Sequence, residues 1–203
     1  MRQITLKHSL VTFLIVCLAF LGYNKLSTSA FVDYNEPGNY KIQALNIPTE
    51  IQFAGENMLL KETDLIERMD KELLVNTYWQ SNTILMLKRA HKYFPQIEKI
   101  LAEEGVPDDF KYLALIESGL ENVTSPAGAK GFWQIMRATG RELGLEVNAN
   151  VDERYNIELA TRVACKYLKK AKERLGSWTL AAASYNRGIA GIQRIMKKQQ
   201  ADN

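Results

Sequence analysis

An all-α domain behind an N-terminal extension is what this sequence predicts, and three observations carry the prediction. From about residue 63 the apolar residues recur at helical spacing almost without interruption. The breaks between periodic stretches hold the Gly, Pro, Asn and Ser expected of caps and turns, as in ENVTSPAGAKG at 121–131. No convincing pair of alternating strands and no internal repeat is found anywhere in the 203 residues.

Residues 1–30 come first. Arg2 and Lys7 precede the apolar run LVTFLIVCLAFL at 10–21, and small residues, STSA, close the segment near Ala30. A basic start, a short apolar centre and a small-residue exit read as an export signal. The run is short for a membrane span of about 20 residues, so an uncleaved anchor is the second reading. Cys17 is read as part of this signal. Residues 31–60, with Pro37, Gly38, Pro48 and Gly55, read as an extended leader, and 61–203 as the helical domain.

Within that domain Leu65, Ile66, Met69 and Leu73 mark a first helix, and Ile84, Leu85 and Leu87 a second that Pro95 is expected to break. Ile97, Ile100 and Leu101 mark a third, ending before Gly105. Pro107 with Asp108 or Asp109 as N-cap opens the next, FKYLALIESGL. After the loop at 121–131, FWQIMRATGRELG is expected to be a helix closed by Gly144. Another runs from about Ile157 to Leu175, with Gly176 just past its end. Ser177 is the expected cap of WTLAAASYN, and a last amphipathic helix follows Gly191.

Charge and scarce residues narrow the chemistry. The formal charge is +3, but residues 1–30 hold Arg2, Lys7 and Lys25 and no acid, so the remainder has 23 bases against 23 acids. A neutral, exported domain is a poor match for nucleic acid. Beyond residue 30 only Cys165 and His91 remain of their kinds, which excludes an intrachain disulfide and a His/Cys zinc cage and leaves few nucleophile–base pairs. Any catalyst has to work with carboxylates, and neither a metal nor another cofactor is expected.

One carboxylate stands out. In FKYLALIESGL, Glu117 falls on the helical stripe of Phe110, Leu113, Ile116 and Leu120. It is either a partly buried acid paired with a base or capping a neighbouring helix, or a general acid whose proton is held by apolar surroundings. Phe132 and Met136 read as core, whereas Gln134, an amide between large apolar residues, must find partners or bind a ligand. GAKG at 128–131 lacks the Lys-Ser/Thr ending of a P-loop, and its small residues suit close approach of loop backbone to another element. Tyr185 and Asn186 either cap the end of WTLAAASYN or point a phenol and an amide into a cleft.

The order of these signals is more specific than any one of them. ES at 117–118, SPAGAKGFWQIM at 125–136, NI at 156–157 and AAASYNRG at 181–188 together resemble the lytic transglycosylase (SLT) domain of the goose-type lysozyme-like superfamily, over roughly 107–195. GFWQ, where GLMQ is commoner, is similar to the membrane-bound lytic murein transglycosylase D branch. The resemblance implies a lysozyme-like helical fold, peptidoglycan glycan strands as the partner, and a chain working as a monomer in the periplasm or cell envelope. It also implies cleavage between N-acetylmuramic acid and N-acetylglucosamine with formation of 1,6-anhydro ends. Residue by residue, Glu117 matches the catalytic acid, Ser125 a loop serine near it, and Gln134, Tyr185 and Asn186 the sugar-contacting positions. RGIAG after Tyr185-Asn186 departs from the Ala-Gly of many relatives. Two competing readings are a hydrolytic muramidase of the same fold and a silent glycan-binding domain. The muramidase needs a second carboxylate about 6.5–9.5 Å away, for which Asp152 and Glu153 are the candidates.

Overall fold

In a computed structural model the described residues are 42–201. The expected signal or anchor at 1–30 and the first part of the leader lie outside them. The described residues are mostly helical, as the periodicity predicts, with one small sheet among them.

That sheet is the first departure. Strands β1 (Glu50–Phe53) and β2 (Glu56–Leu59) pair antiparallel, Phe53 opposite Glu56, inside the stretch expected to be extended leader. Ile51 and Phe53 are buried while Glu50 and Gln52 face water. The turn is Ala54-Gly55, both at positive φ (52° and 77°). Such turns normally advertise themselves with Asn-Gly or Asp-Gly, and four-residue strands leave little alternation to read. The strain at Ala54 is offset by a tertiary bond, its N–H donating to Asp109 Oδ2 at 2.6 Å.

Helices α1 (Thr63–Tyr78) and α2 (Gln80–Glu103) follow. The expected break at Pro95 does not occur: α2 runs through it. Pro95 is on the exposed side, while Ala90, Ile97, Ile100 and Leu101 are buried on the other. Packing along that continuous stripe outweighs one lost backbone bond. Asp108–Phe110 form a 3-10 turn with Pro107 at its N-cap position, so neither aspartate caps the helix that follows. Helix α3 (Lys111–Ser118) carries Glu117 and ends at Gly119 in the left-handed region (φ 62°).

Helix α4 is shorter than expected, Arg137–Glu142. Residues 131–135 form a tight turn instead, closed by paired backbone bonds between Lys130 and Ile135. Phe132 is buried as expected, but Met136 is 44% exposed, because the helix begins after it and the side chain is no longer on an inward stripe. Helix α5 (Ile157–Leu175) is capped by Asn156, whose Oδ1 accepts from Glu158 N and Leu159 N. Helix α6 (Trp178–Arg187) has the expected cap, Ser177 Oγ accepting from Leu180 N at 3.0 Å. Helix α7 (Ile189–Ala201) starts two residues before Gly191 rather than after it.

The main core gathers Phe110, Leu113, Leu115, Trp133, Val163 and Leu168, all at most 3% exposed, with Ile51 and Phe53 of the hairpin, Met69 of α1 and Ile97 and Leu101 of α2. Alanines 160, 164, 171 and 181–183 are buried, and small side chains let α5 and α6 lie close. A second, smaller cluster, including Ala171, Leu175, Ile189 and Ile192, seats α7. Cys165 is buried within α5, and burial pushes its thiol up to about 12, leaving it a packing residue.

Candidate functional site

Three segments converge on Glu117: the end of α3, the turn at 131–135 and the end of α6. Ser118 Oγ reaches the carbonyl of Phe132 at 2.8 Å as well as that of Ala114, tying α3 to the turn. Tyr185 Oη donates to the carbonyl of Trp133 at 2.8 Å, tying α6 to the same turn. The Trp133 indole, fully buried, donates to Thr161 Oγ1 at 2.8 Å, and Thr161 in turn bonds the carbonyl of Ile157. The turn is thus fixed from three helices.

Gln134 completes it from within. Its backbone sits at φ 45°, and its Nε2 donates to the carbonyls of Gly131 (2.8 Å) and Val123 (3.2 Å). The half-buried amide finds partners in its own loop, and its apolar neighbours Trp133 and Ile135 go to the core. Gly131 shows why small residues stand in GAKG. A Cβ there would lie 2.0 Å from the backbone oxygen of Arg154, at a φ of +75°. Arg154, 3% exposed, donates from Nη1 to the carbonyls of Gly128 and Ile135 and clasps Asp152 through Nε and Nη2. Sequence reasoning passed over Arg154 and Thr161, and quoted Ser118 only as part of the ES motif with no role of its own. A buried arginine is invisible to periodicity, and the two hydroxyls sit at ordinary helical positions.

Against this frame Asn186 Nδ2 donates to Glu117 Oε1 at 3.2 Å. Glu117 is half-buried on the apolar face of α3, and among the described residues it forms no ion pair. Burial pushes its carboxyl up from 4.5 to about 7, with the Asn186 bond pulling weakly the other way. The group therefore holds a proton close to neutrality, the state a proton donor requires. Of the two sequence readings of Glu117, pairing with a base is not what the geometry shows.

The remaining candidates divide. Tyr185 packs edge-on against Tyr167, ring centroids 5.4 Å apart, and burial holds its phenol well above the ordinary tyrosine value, so it stays a donor. Tyr185 and Gln134 both wall a cleft of about 170 Å³, together with Met136, Thr139, Tyr167 and Gly188. Neither Glu117 nor Asn186 is one of its walls; Tyr185, the neighbour of Asn186 in α6, is. The volume is below the roughly 300 Å³ of ordinary ligand pockets. Ser125 is not brought to Glu117 by any described bond: its Oγ accepts from Ala129 N at 3.0 Å and closes a turn inside the loop. Asp152 is held at about 2, by its bonds to Arg154 against the opposing effect of burial, with Lys130 adding a 3.3 Å contact. Glu153 Oε2 accepts from Glu146 N at 2.7 Å. Both carboxylates staple loops.

Comparison with known proteins adds a family. The transglycosylase SLT domain matches residues 95–203, more than half of the chain. Two curated relatives, both named membrane-bound lytic murein transglycosylase D, come from Escherichia coli strains K12 and O6:H1. Each is 29% identical over 153 residues, covering 73% of this chain and 33% of the relative. The chain thus spans about a third of the length of the curated relatives it matches.

Proposed function

The chain belongs to the transglycosylase SLT domain family, and from that premise we propose that it is a peptidoglycan lytic transglycosylase with Glu117 as its single catalytic residue. The observation that carries the proposal is a half-buried carboxyl with no ionic partner among the described residues, held near pKa 7 and oriented by one amide.

The chemistry follows from that state. Glu117, protonated, gives its proton to the oxygen between N-acetylmuramic acid and N-acetylglucosamine as the bond to C1 breaks. The substrate's 2-acetamido group supports the positive charge that develops at C1. Glu117, now ionised, takes the proton of the muramyl 6-hydroxyl, whose oxygen closes on C1 to give the 1,6-anhydro sugar. The proton lost is regained and no water enters. One carboxyl suffices because the nucleophile is tethered to the reacting carbon, where effective molarities are very high. Most glycosidases need a second carboxylate, and the commitment of Asp152 to Arg154 and of Glu153 to Glu146 favours the one-acid route over the muramidase. Gln134, Tyr185 and Asn186 are proposed to line the sugar path, with Ser125 acting at longer range by shaping its loop.

The same proposal places the enzyme in the cell envelope, exported by residues 1–30 or attached through them, as a monomer on glycan strands. Among the described residues no helix is long and apolar enough to cross a membrane.

Digestion of purified sacculi, with mass spectrometry of the released muropeptides, tests the reading. Anhydro ends, one water lighter than hydrolytic ends, are expected, and in ¹⁸O-water they carry no solvent oxygen at C1. Glu117→Gln should lower the rate by about 10²–10⁴-fold or more with the fold intact. Reducing ends labelled with ¹⁸O as the main product would establish the muramidase instead.

A further inference from the structure

We propose that Glu56, on the β1–β2 hairpin outside the residues matched by the family, is a positioning residue for the Glu117–Asn186 pair. As a statement about catalysis this rests on the function proposed above; as a statement about geometry it stands on the contacts alone.

Glu56 reaches across 122 residues of sequence to the N-terminus of α6. Its Oε1 accepts from Trp178 N (2.6 Å), and its Oε2 accepts from Thr179 N (2.9 Å) and Thr179 Oγ1 (2.6 Å). Lys172 Nζ stands 3.4 Å from Oε1. With Ser177 bonding Leu180 N, the first three backbone donors of α6 are all taken by side chains. Burial disfavours charge on Glu56, yet these bonds outweigh it and hold the carboxyl below its usual range.

The same hairpin grips the element leading into α3. Phe53 packs edge-on against Phe110 at 5.2 Å, Phe110 against Trp178 at 5.4 Å, and Ala54 N donates to Asp109. Phe110 precedes Glu117 by about two helical turns, and Trp178 precedes Asn186 by about two turns. Both chains therefore leave one clamp and run roughly 10–12 Å to meet at the 3.2 Å bond. The spacing of α3 and α6 at the hairpin sets their spacing at the site. Helices transmit such a displacement because they are stiff and closely packed.

Glu117 reports whether the clamp works. On α3 itself no other ionisable group acts on its carboxyl; from α6 it meets the Asn186 amide and the Tyr185 phenol. From α2, Arg89 is committed to the Gly119 carbonyl and to Glu121, and the 131–135 turn offers backbone carbonyls to Ser118 and Tyr185. Withdrawing Asn186 removes the bond that favours ionisation, so the midpoint of Glu117 must rise.

The test uses the full chain with ¹³C-labelled glutamate, the Glu117 carboxyl signal being identified by its loss in Glu117→Gln. In Glu56→Gln the midpoint is expected to move up from about 7 by about half a unit, and Glu56→Asp, which keeps the charge, should move it less. On glycan strands kcat should fall about 2–30-fold, the range carried by loss of a helix cap. KM should change less than about twofold, since the cleft walls remain. Should Glu56→Gln fail to fold, Thr179→Val removes a single bond and is expected to give a smaller shift in the same direction. A lower melting temperature with an unmoved Glu117 midpoint and unmoved Asn186 amide signals, in whichever variant folds, would overturn the proposal and leave Glu56 a cap alone. A wild-type chain that cuts no glycan while Glu56→Gln still shifts Glu117 would sink the transglycosylase reading and uphold the clamp.

Discussion

Glu117 sets the stability of the fold against the chemistry proposed for it. Free glutamate ionises near 4.5, while the folded protein keeps the proton up to about 7. Between those values the native state binds more protons than the unfolded chain, so stability falls as pH rises. Below 4.5 both states are protonated and nothing is lost; above 7 the whole penalty is in place. Glu117→Gln keeps an acceptor for Asn186 and carries no charge. At pH 8 it is expected to be more stable than the wild type by up to about 3 kcal/mol, with the difference gone at pH 4.5. Urea titrations at the two pH values check this; an equal difference at both would mean that packing, not ionisation, separates the variants. The stripe of Phe110, Leu113 and Ile116 made the acid visible in sequence. The single amide that orients it was legible only as a candidate, because Asn186 arrives from 69 residues away.

At the scale of elements, caps were the readable part. Ser177 and Gly176 act through local geometry, and each stands where its helix begins or ends. Errors came where tertiary packing overrode a local rule. Pro95 stops nothing because the apolar stripe of α2 is buried on both sides of it, and the proline ring is turned to solvent. Pro95→Ala should restore a backbone donor and remove the ring's clash, at the cost of a looser unfolded chain. A net gain of about 2 kcal/mol is expected, read as a higher midpoint in chemical denaturation. A loss would mean that α2 needs the local geometry the proline imposes. The hairpin was missed for the converse reason: its turn lacks the usual residues and is held by Asp109 and by the aromatic row from Phe53 to Trp178.

Across the whole molecule the packing is uneven. Helix α5 lines both clusters, whereas α7 is seated mainly on the smaller one. Local opening should therefore release α7 before α5. In native-state hydrogen exchange the amides of Val163–Leu168 are expected to open only with global unfolding, and those of α7 at least about 10-fold faster. Equal protection of the two would show that the clusters unfold as one unit.

The amino-acid sequence by itself determined that the domain is helical, where several of its helices end, and that one acid lies on an apolar face. These properties depend on neighbours three or four residues apart, which is the range over which a helix places side chains together. It also carried the order of motifs that marks the family. Only the tertiary structure decided that Arg154 and Gly131 bring the 128–135 loop against residue 154, and that Asp152 and Glu153 are spent on loops. It alone decided that Asn186 meets Glu117 and that Glu56 holds the far end of the helix bearing Asn186. The bonds of Arg154 to the loop, of Asn186 to Glu117 and of Glu56 to α6 join residues 19 to 123 positions apart. No local preference encodes them; they form because burying the apolar stripes of α3, α5 and α6 leaves each polar group one place to find a partner.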